Sequence, residues 1–348
     1  MTHRERICLP WRRISFTLTC ALALAAPVGE SAAADHIKIG VVRSLGGAPA
    51  YLAKDKGFFD AEGLDAELVF FESAQPISVA VASGDANFGT TGLTAAFFNL
   101  ASQGALKIIG SSTWETPGFQ NTGFLVSNQA YAAGLTSLKD IGGRTAAITQ
   151  SGTPLHYILA RAAEKYDIDF KTIRVLLLQS NPNVATALTG GQTDIAMQTA
   201  APAYAIIAKG GARLLGWAGD ELPRSQSEAM FTSTTMANER GDVVTRYLQA
   251  VRRAMAYIHE AFADDHDRRQ DGPAATEIVA IIAKYLEQPP GLIKRGFPFF
   301  DPQARIVAQN FADLGAWYKA QGMLKGELDV KALIDTRYAL LFDQRPTQ

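Results

Sequence analysis

The sequence predicts an α/β protein made of two related lobes, and three observations carry that expectation. Residues 37–71 read as strand, loop, helix, strand; a second stretch repeats the pattern about a hundred residues later; and both halves place small polar residues where strands run into helices. In the first unit Ile37, Ile39, Val41 and Val42 suit a buried strand, and Pro49 stands where a first-turn proline loses no hydrogen bond. The helix carries Tyr51, Leu52 and Asp55, Gly57 takes the left-handed conformation that ends it, and Leu64–Phe71 forms the next strand. Residues 43–48 then leave the carboxyl end of the sheet, where open α/β folds place their ligands.

The echo lies in residues 137–168. Pro49-Ala50-Tyr51-Leu52-Ala53 corresponds to residues 154–160, and Gly84-Asp85-Ala86-Asn87 to Gly191-Gln192-Thr193-Asp194, at offsets of 105 and 107. Chance likeness between two Gly- and Ala-rich units is the competing explanation.

Between these units the pattern predicts a helix over 76–82, a strand over 85–89, and Thr90-Thr91-Gly92 leading into a helix through Leu100. A strand over 107–111 precedes a loop, Trp114 to Gly118, with an exposed tryptophan, and another strand covers 124–127. The second half continues with strands at 173–178, 195–197 and 214–217 and a helix at 184–188. After a strand at 230–233, Val244, Tyr247, Leu248, Val251, Met255, Ile258 and Phe262 recur at helical spacing behind a capping Asp242. Arg246, Arg252 and Arg253 fall on the opposite face, expected to be solvated. Helices over 276–286 and 301–321 close the chain.

With 33 basic and 34 acidic residues in 348, the chain offers no polyelectrolyte surface for nucleic acid. The N-terminus reads as a cleaved secretory signal over residues 1–34: Arg4, Arg6, Arg12 and Arg13, an uncharged run over 14–26, then Ala32-Ala33-Ala34. That run is shorter than the ~20 residues that span a bilayer. Cys20 leaves a lipoprotein site as a minor alternative. Both cysteines, Cys8 and Cys20, lie in this segment, so the exported chain has neither thiol nor disulfide, and its net charge moves from −1 to −3.

His36, His156, His259 and His266 make no metal-binding spacing, and no nucleophile elbow, Walker loop or dinucleotide fingerprint is present. The sequence therefore proposes no enzyme, metal or cofactor. What recurs is the set Ser44-Leu45-Gly46-Gly47, Ser73-Ala74-Gln75, Thr90-Thr91-Gly92, Ser151-Gly152-Thr153 and Gln198-Thr199. Each serves a helix as a polar cap; together, on facing lobes, they offer backbone donors and hydroxyls to one small ligand.

At these residues the chain resembles the periplasmic substrate-binding proteins of ABC importers: the nitrate, sulfonate and taurine group with its thiamine-precursor (NMT1/THI5-like) relatives. The resemblance rests on APAYLAKDKGFFDAEGLDAELVFF, ASGDANFGTTGLTAAF, LKDIGGRTAAITQSGTPLHYIL and ALTGGQTDIAMQTAAPAYA, in that order. It implies a type II two-lobe periplasmic binding protein fold, a ligand cleft between the lobes, and two hinge crossovers, near 124–127 and 229–232. The lobes would comprise 35–125, 126–228, and a return over 229–348. It further implies a monomer that captures a small organic anion (sulfonate, taurine-like or carboxylate) for an inner-membrane permease with a cytoplasmic ATPase.

The contacts it implies fall on Ser44, Leu45, Gly46, Ser73, Gln75, Thr91, Gly92, Trp114, Ser151, Gly152, Thr153 and Gln198, with His156 close behind. Where the family often has an aromatic residue, Gln198-Thr199-Ala200-Ala201-Pro202 leaves a smaller, more polar wall. Arg43 would neutralise a carboxylate or sulfonate, or else pair at the surface with Asp55 or Glu72. Trp114 would stack on an aromatic ligand, favouring a pyrimidine precursor of thiamine, or else cover the hinge. A third reading is an enzyme like the fungal pyrimidine synthases, which carry a cysteine-rich motif that this chain lacks.

Overall fold

The computed structural model describes residues 1–3 and 33–342, so the expected secretory signal falls almost wholly outside the described residues. In chain order the strands are β1 Asp35–Val42, β2 Leu64–Phe71, β3 Phe88–Gly92, β4 Leu106–Ser111, β5 Thr113–Glu115, β6 Thr122–Ser127 and β7 Thr145–Ile148. They continue with β8 Arg174–Leu177, β9 Ile195–Thr199, β10 Ala212–Trp217, β11 Ser225–Gln226, β12 Glu228–Ser233 and β13 Phe299–Phe300.

Two five-stranded sheets share one plan. The first runs β2-β1-β3-β12-β4 and the second β8-β7-β9-β6-β10. In each, the first three strands are parallel, and the fourth lies antiparallel to both its neighbours. That fourth strand is the first one formed after the chain changes sheets. The changes occur over residues 112–121 and 218–227, earlier than the crossings and lobe boundaries expected at 124–127 and 229–232. β6 and β12 already belong wholly to their new sheets, because an antiparallel strand must be entered from the end at which its neighbours finish. The crossings themselves are tied by a third small sheet, β11-β5-β13.

The opening unit forms as its residues dictate: helix Ala48–Asp55 has Pro49 in its first turn, and Gly57 has φ +65° before the chain returns to β2. Helix Gly241–Phe262 buries the predicted stripe, with Tyr247 stacked on Phe88 at 3.8 Å between ring centres. Asp242 sits in its first turn rather than at its cap.

Four other expectations change. Thr90, Thr91 and Gly92 belong to β3, paired with Met230, Ala229 and Glu228, because β-branched threonines extend the strand and Thr94 caps the next helix, accepting from the Phe97 N–H at 3.1 Å. Trp114 is not in an exposed loop but fully buried in β5. The last long helix is Ala308–Ala320 and begins later than residue 301. Asp301 instead fixes a turn: its Oδ1 accepts from the N–H groups of Gln303 and Arg305, while Arg305 pairs with Oδ2 at 2.7 Å.

The three arginines of helix Gly241–Phe262 are not merely solvated. Arg246 bridges Asp35 and Asp242, Arg252 donates to the carbonyls of Gln303 and Tyr338, and Arg253 lies over the Phe58 ring at 4.2 Å. These bonds clamp the returning helix to the first lobe. Replacing Phe88 by Ala removes a fully buried ring and its stacking on Tyr247, and urea denaturation should show a loss of roughly 3–5 kcal/mol.

Candidate functional site: a cleft between the two sheets

The strand-end loops of both sheets meet around a cavity of about 90 Å³. From the first sheet come Val42 and Ser44 after β1, Ser73 and Ala74 after β2, and Thr91 and Gly92 at the end of β3. The second sheet supplies Thr122, Thr149, Thr153, Pro154, Asn181 and Thr199, the crossings add Asn121 and Ser227, and Glu228 comes from the start of β12. A second cavity of about 330 Å³ shares Val42, Glu72 and Asn181 with the first and is walled by Phe70, Phe71, Pro202, Ile206 and Leu286.

Three helices begin at the first cavity without a side chain capping them. Helix Ala74–Ser83 starts from Ser73, Pro154–Lys165 from Thr153 and Ala200–Ala208 from Thr199, each N-cap residue in extended backbone. The Thr153 hydroxyl turns back to the Gln150 carbonyl at 3.1 Å, and the buried Thr199 hydroxyl has no partner. The positive ends of three helix dipoles therefore lie at one space, from both sheets, although the Ala200 N–H is taken by the Asn121 carbonyl at 2.9 Å and Pro154 has no N–H to offer.

The lobes also touch across the cleft. The Ala95 N–H donates to the Gly152 carbonyl at 2.8 Å, and Gln75 Nε2 to the Ser151 carbonyl at 3.4 Å. Gly92 faces Pro154 so closely that a Cβ would come within 2.8 Å of its ring.

Of the residues expected at the site, Ser44, Ser73, Thr91, Gly92 and Thr153 line the cavity. Gln75, Ser151 and Gly152 make the cross-lobe contacts beside it. Leu45 and Gly46 are buried in the first loop, where the Gly46 carbonyl accepts from Ser112 Oγ at 3.1 Å. Gln198 is fully buried and donates to the Asn181 carbonyl at 3.3 Å, positioning a lining residue rather than lining the cavity itself.

Three expectations fall elsewhere. The Arg43 guanidinium donates to the Tyr285 carbonyl at 2.7 Å, pairs with Glu287 at 3.4 Å and covers the Phe70 ring at 4.2 Å; it borders the second cavity, not the first, and pairs with neither Asp55 nor Glu72. Trp114 packs edge-on against Phe299 and Phe342 under the Arg224 guanidinium at the crossing and does not line the cavity. His156 accepts from the Gly152 N–H through Nδ1 and packs on Phe170 and Trp317; burial pulls its pKa down to about 4 and keeps the ring neutral.

Sequence reasoning missed Asn121, Thr122, Thr149, Asn181, Ser227 and Glu228. Glu228 carried a signal: it is a lone acid opening a strand that continues Ala-Met-Phe-Thr-Ser. Its Oε2 accepts from Thr113 Oγ1 at 2.8 Å, Thr113 Oγ1 accepts from Asn121 Nδ2 at 3.3 Å, and Asn121 Nδ2 donates to Glu115 Oε1 at 2.8 Å. A polar chain thus runs from the cavity wall to a buried acid behind it. Burial raises the pKa of Glu228, against the Thr113 hydrogen bond, and pushes Glu115 up to about 7, against its bonds to Thr122 and Asn121. Among the described residues no group of three or more His, Cys, Asp or Glu side chains is placed to hold a metal ion.

Two sheets of this order, joined by two crossings and lined at facing strand ends, define a type II two-lobe periplasmic binding protein fold. The chain belongs to the NMT1/THI5 like family, whose model matches residues 46–261. Among solved structures it is similar to the alkanesulfonate-binding protein SsuA from Xanthomonas axonopodis pv. citri bound to MOPS, with TM-score 0.70 and 20% identity over 87% of this chain and 99% of that one. It is also similar to the periplasmic nitrate-binding protein NrtA from Synechocystis PCC 6803, with TM-score 0.65 and 14% identity over 88% and 86%. The desulfurization enzyme DSZB shares the fold as well, with TM-score 0.61 and 16% identity over 86% and 96%. No curated protein matches the sequence.

Glu115 makes stability depend on pH. Below about 4.5 the acid is protonated folded or unfolded; as pH rises the unfolded chain releases its proton first, while the folded chain holds it until about 7. Stability from this group therefore falls between pH 4.5 and 7 and stays low above. Glu115→Gln should melt at a higher temperature than wild type at pH 8, and the gain should vanish at pH 4.

Proposed function

We propose that this protein is the extracytoplasmic solute-binding component of an ABC importer, closing its lobes on a small organic solute that carries a carboxylate, sulfonate or comparable acceptor group. The observation that carries this reading is the convergence of three uncapped helix N-termini, from both sheets, on one cavity. Backbone donors at such a site recognise an acceptor without a dedicated basic side chain, which suits a cavity that Arg43 does not enter.

In this reading the hinges are residues 112–121 and 218–227, and the contacts of Ala95 with Gly152 and of Gln75 with Ser151 belong to the closed form. The solute shifts the population toward closure, and an inner-membrane permease with its cytoplasmic ATPase recognises that form. Residues 1–34 act as a cleaved signal, and the exported chain works in the periplasm as a monomer without chemistry of its own. The pyrimidine alternative loses its support because Trp114 is packed away from the cavity. An enzyme of the cysteine-dependent kind is disfavoured by the position of Cys8 and Cys20, both before residue 33.

A thermal-shift screen with sulfonates, aliphatic and aromatic carboxylates, nitrate and pyrimidines tests the proposal. A true ligand at 100 times its dissociation constant adds about 2.7 kcal/mol, whereas binding of uncharged members alone would sink it. Gly152 has φ +66°, and a Cβ there would lie 2.8 Å from that of Ala95. Gly152→Val should therefore weaken any ligand found by roughly tenfold or more in isothermal titration, as the lobes can no longer meet.

A further inference from the structure

Glu228 places a carboxylate on the cavity wall, where among the described residues no basic side chain meets it. It opens β12 opposite Gly92 of β3, beside the end of that strand which lines the cavity. Thr113 holds its Oε2, and Gly46 packs so tightly that a Cβ there would come within 2.5 Å of the same oxygen. The group is thus held by one hydrogen bond and lies against the first loop.

Among the described residues the charged side chains lining the cavity are Glu228 and, at the exposed rim, Glu72, with no Lys, Arg or His. Arg43, next in the chain to the lining residue Ser44, is turned toward Tyr285, Glu287 and Phe70. A half-buried carboxylate with one hydroxyl partner repels a bare anion, and it is stabilised by a charged donor brought in by the ligand.

We propose that Glu228 is the specificity-determining residue of the cleft: it selects solutes that present a protonated amine to its carboxylate and rejects bare anions of the same size. This rests on the solute-capture reading above and adds to it a requirement that helix N-termini alone do not impose. The amine meets Glu228 on the wall built by the crossing strands, while the acceptor group of the same solute meets the helix starts.

Isothermal titration at pH 8 with two matched pairs tests it: 3-aminopropanesulfonate against propanesulfonate, and 4-aminobutyrate against butyrate. Wild type should bind an amine-bearing member at least tenfold more tightly than its amine-free partner. Glu228→Gln, which keeps the shape and the acceptor for Thr113, should erase that preference by weakening the amine-bearing member tenfold or more while leaving the amine-free member unchanged or tighter. Thr113→Val removes only the hydroxyl that orients the carboxylate and should reduce the preference severalfold, which keeps the test decisive should Glu228→Gln fold poorly.

Equal or tighter binding of the amine-free members by wild type overturns the role of Glu228 and leaves solute capture standing. So does a preference that survives both substitutions. If wild type binds no member of either pair and nothing in the broader screen, both readings fail together.

Discussion

The arrangement depends on one strand. β12 lies antiparallel between β3 and β4, so the first sheet is finished only after the chain has built the second sheet and returned. Buried Met230 and Phe231 anchor it in the core, and Phe231 fills the space left by the missing side chain at Gly89. That seating fixes the return crossing and brings helix Gly241–Phe262 onto the first lobe. It also sets Glu228 at the cavity. Since β6 plays the same part in the second sheet, each sheet is completed by a strand that follows a crossing.

The cavity combines opposed electrostatic elements. Uncapped helix starts present N–H groups and positive dipole ends, while the crossing strands present Glu228, backed by Thr113, Asn121 and the buried Glu115. Burial shifts both acids toward their protonated forms, at a cost to stability near neutral pH. Hydroxyls that would ordinarily cap a helix are turned elsewhere or left without partners, which leaves local donors and acceptors for a bound molecule rather than for the fold.

Much of the fold was legible because its cues are local. Ile37, Ile39 and Val41 alternate into the core, Pro49 and Gly57 bracket a helix, and the stripe from Val244 to Phe262 keeps helical spacing over about five turns. The errors have equally physical causes. Thr90 and Thr91 suit both a cap and a strand, and pairing with β12 decided for the strand. Asp301 suits both a helix start and a turn, and its bond to Arg305 decided for the turn. At the site, small polar residues at strand ends identified Ser44, Ser73, Thr91, Gly92 and Thr153, whereas Arg43 and Trp114 were singled out for chemistry that their neighbours Glu287, Tyr285, Phe299 and Phe342 absorb.

By itself the sequence determined the repeated βα units, the family pattern they carry and the loops that turn toward a ligand, since helix and strand formation responds to periodicity, glycine and proline within a few residues. Tertiary structure alone decided which side chains share the cavity. Glu228 lies beside Gly46 and Gly92 and bonds to Thr113 only because two crossings bring distant segments together. Such contacts leave no periodic trace in the chain, and the residue on which ligand selection is proposed to turn is one of them.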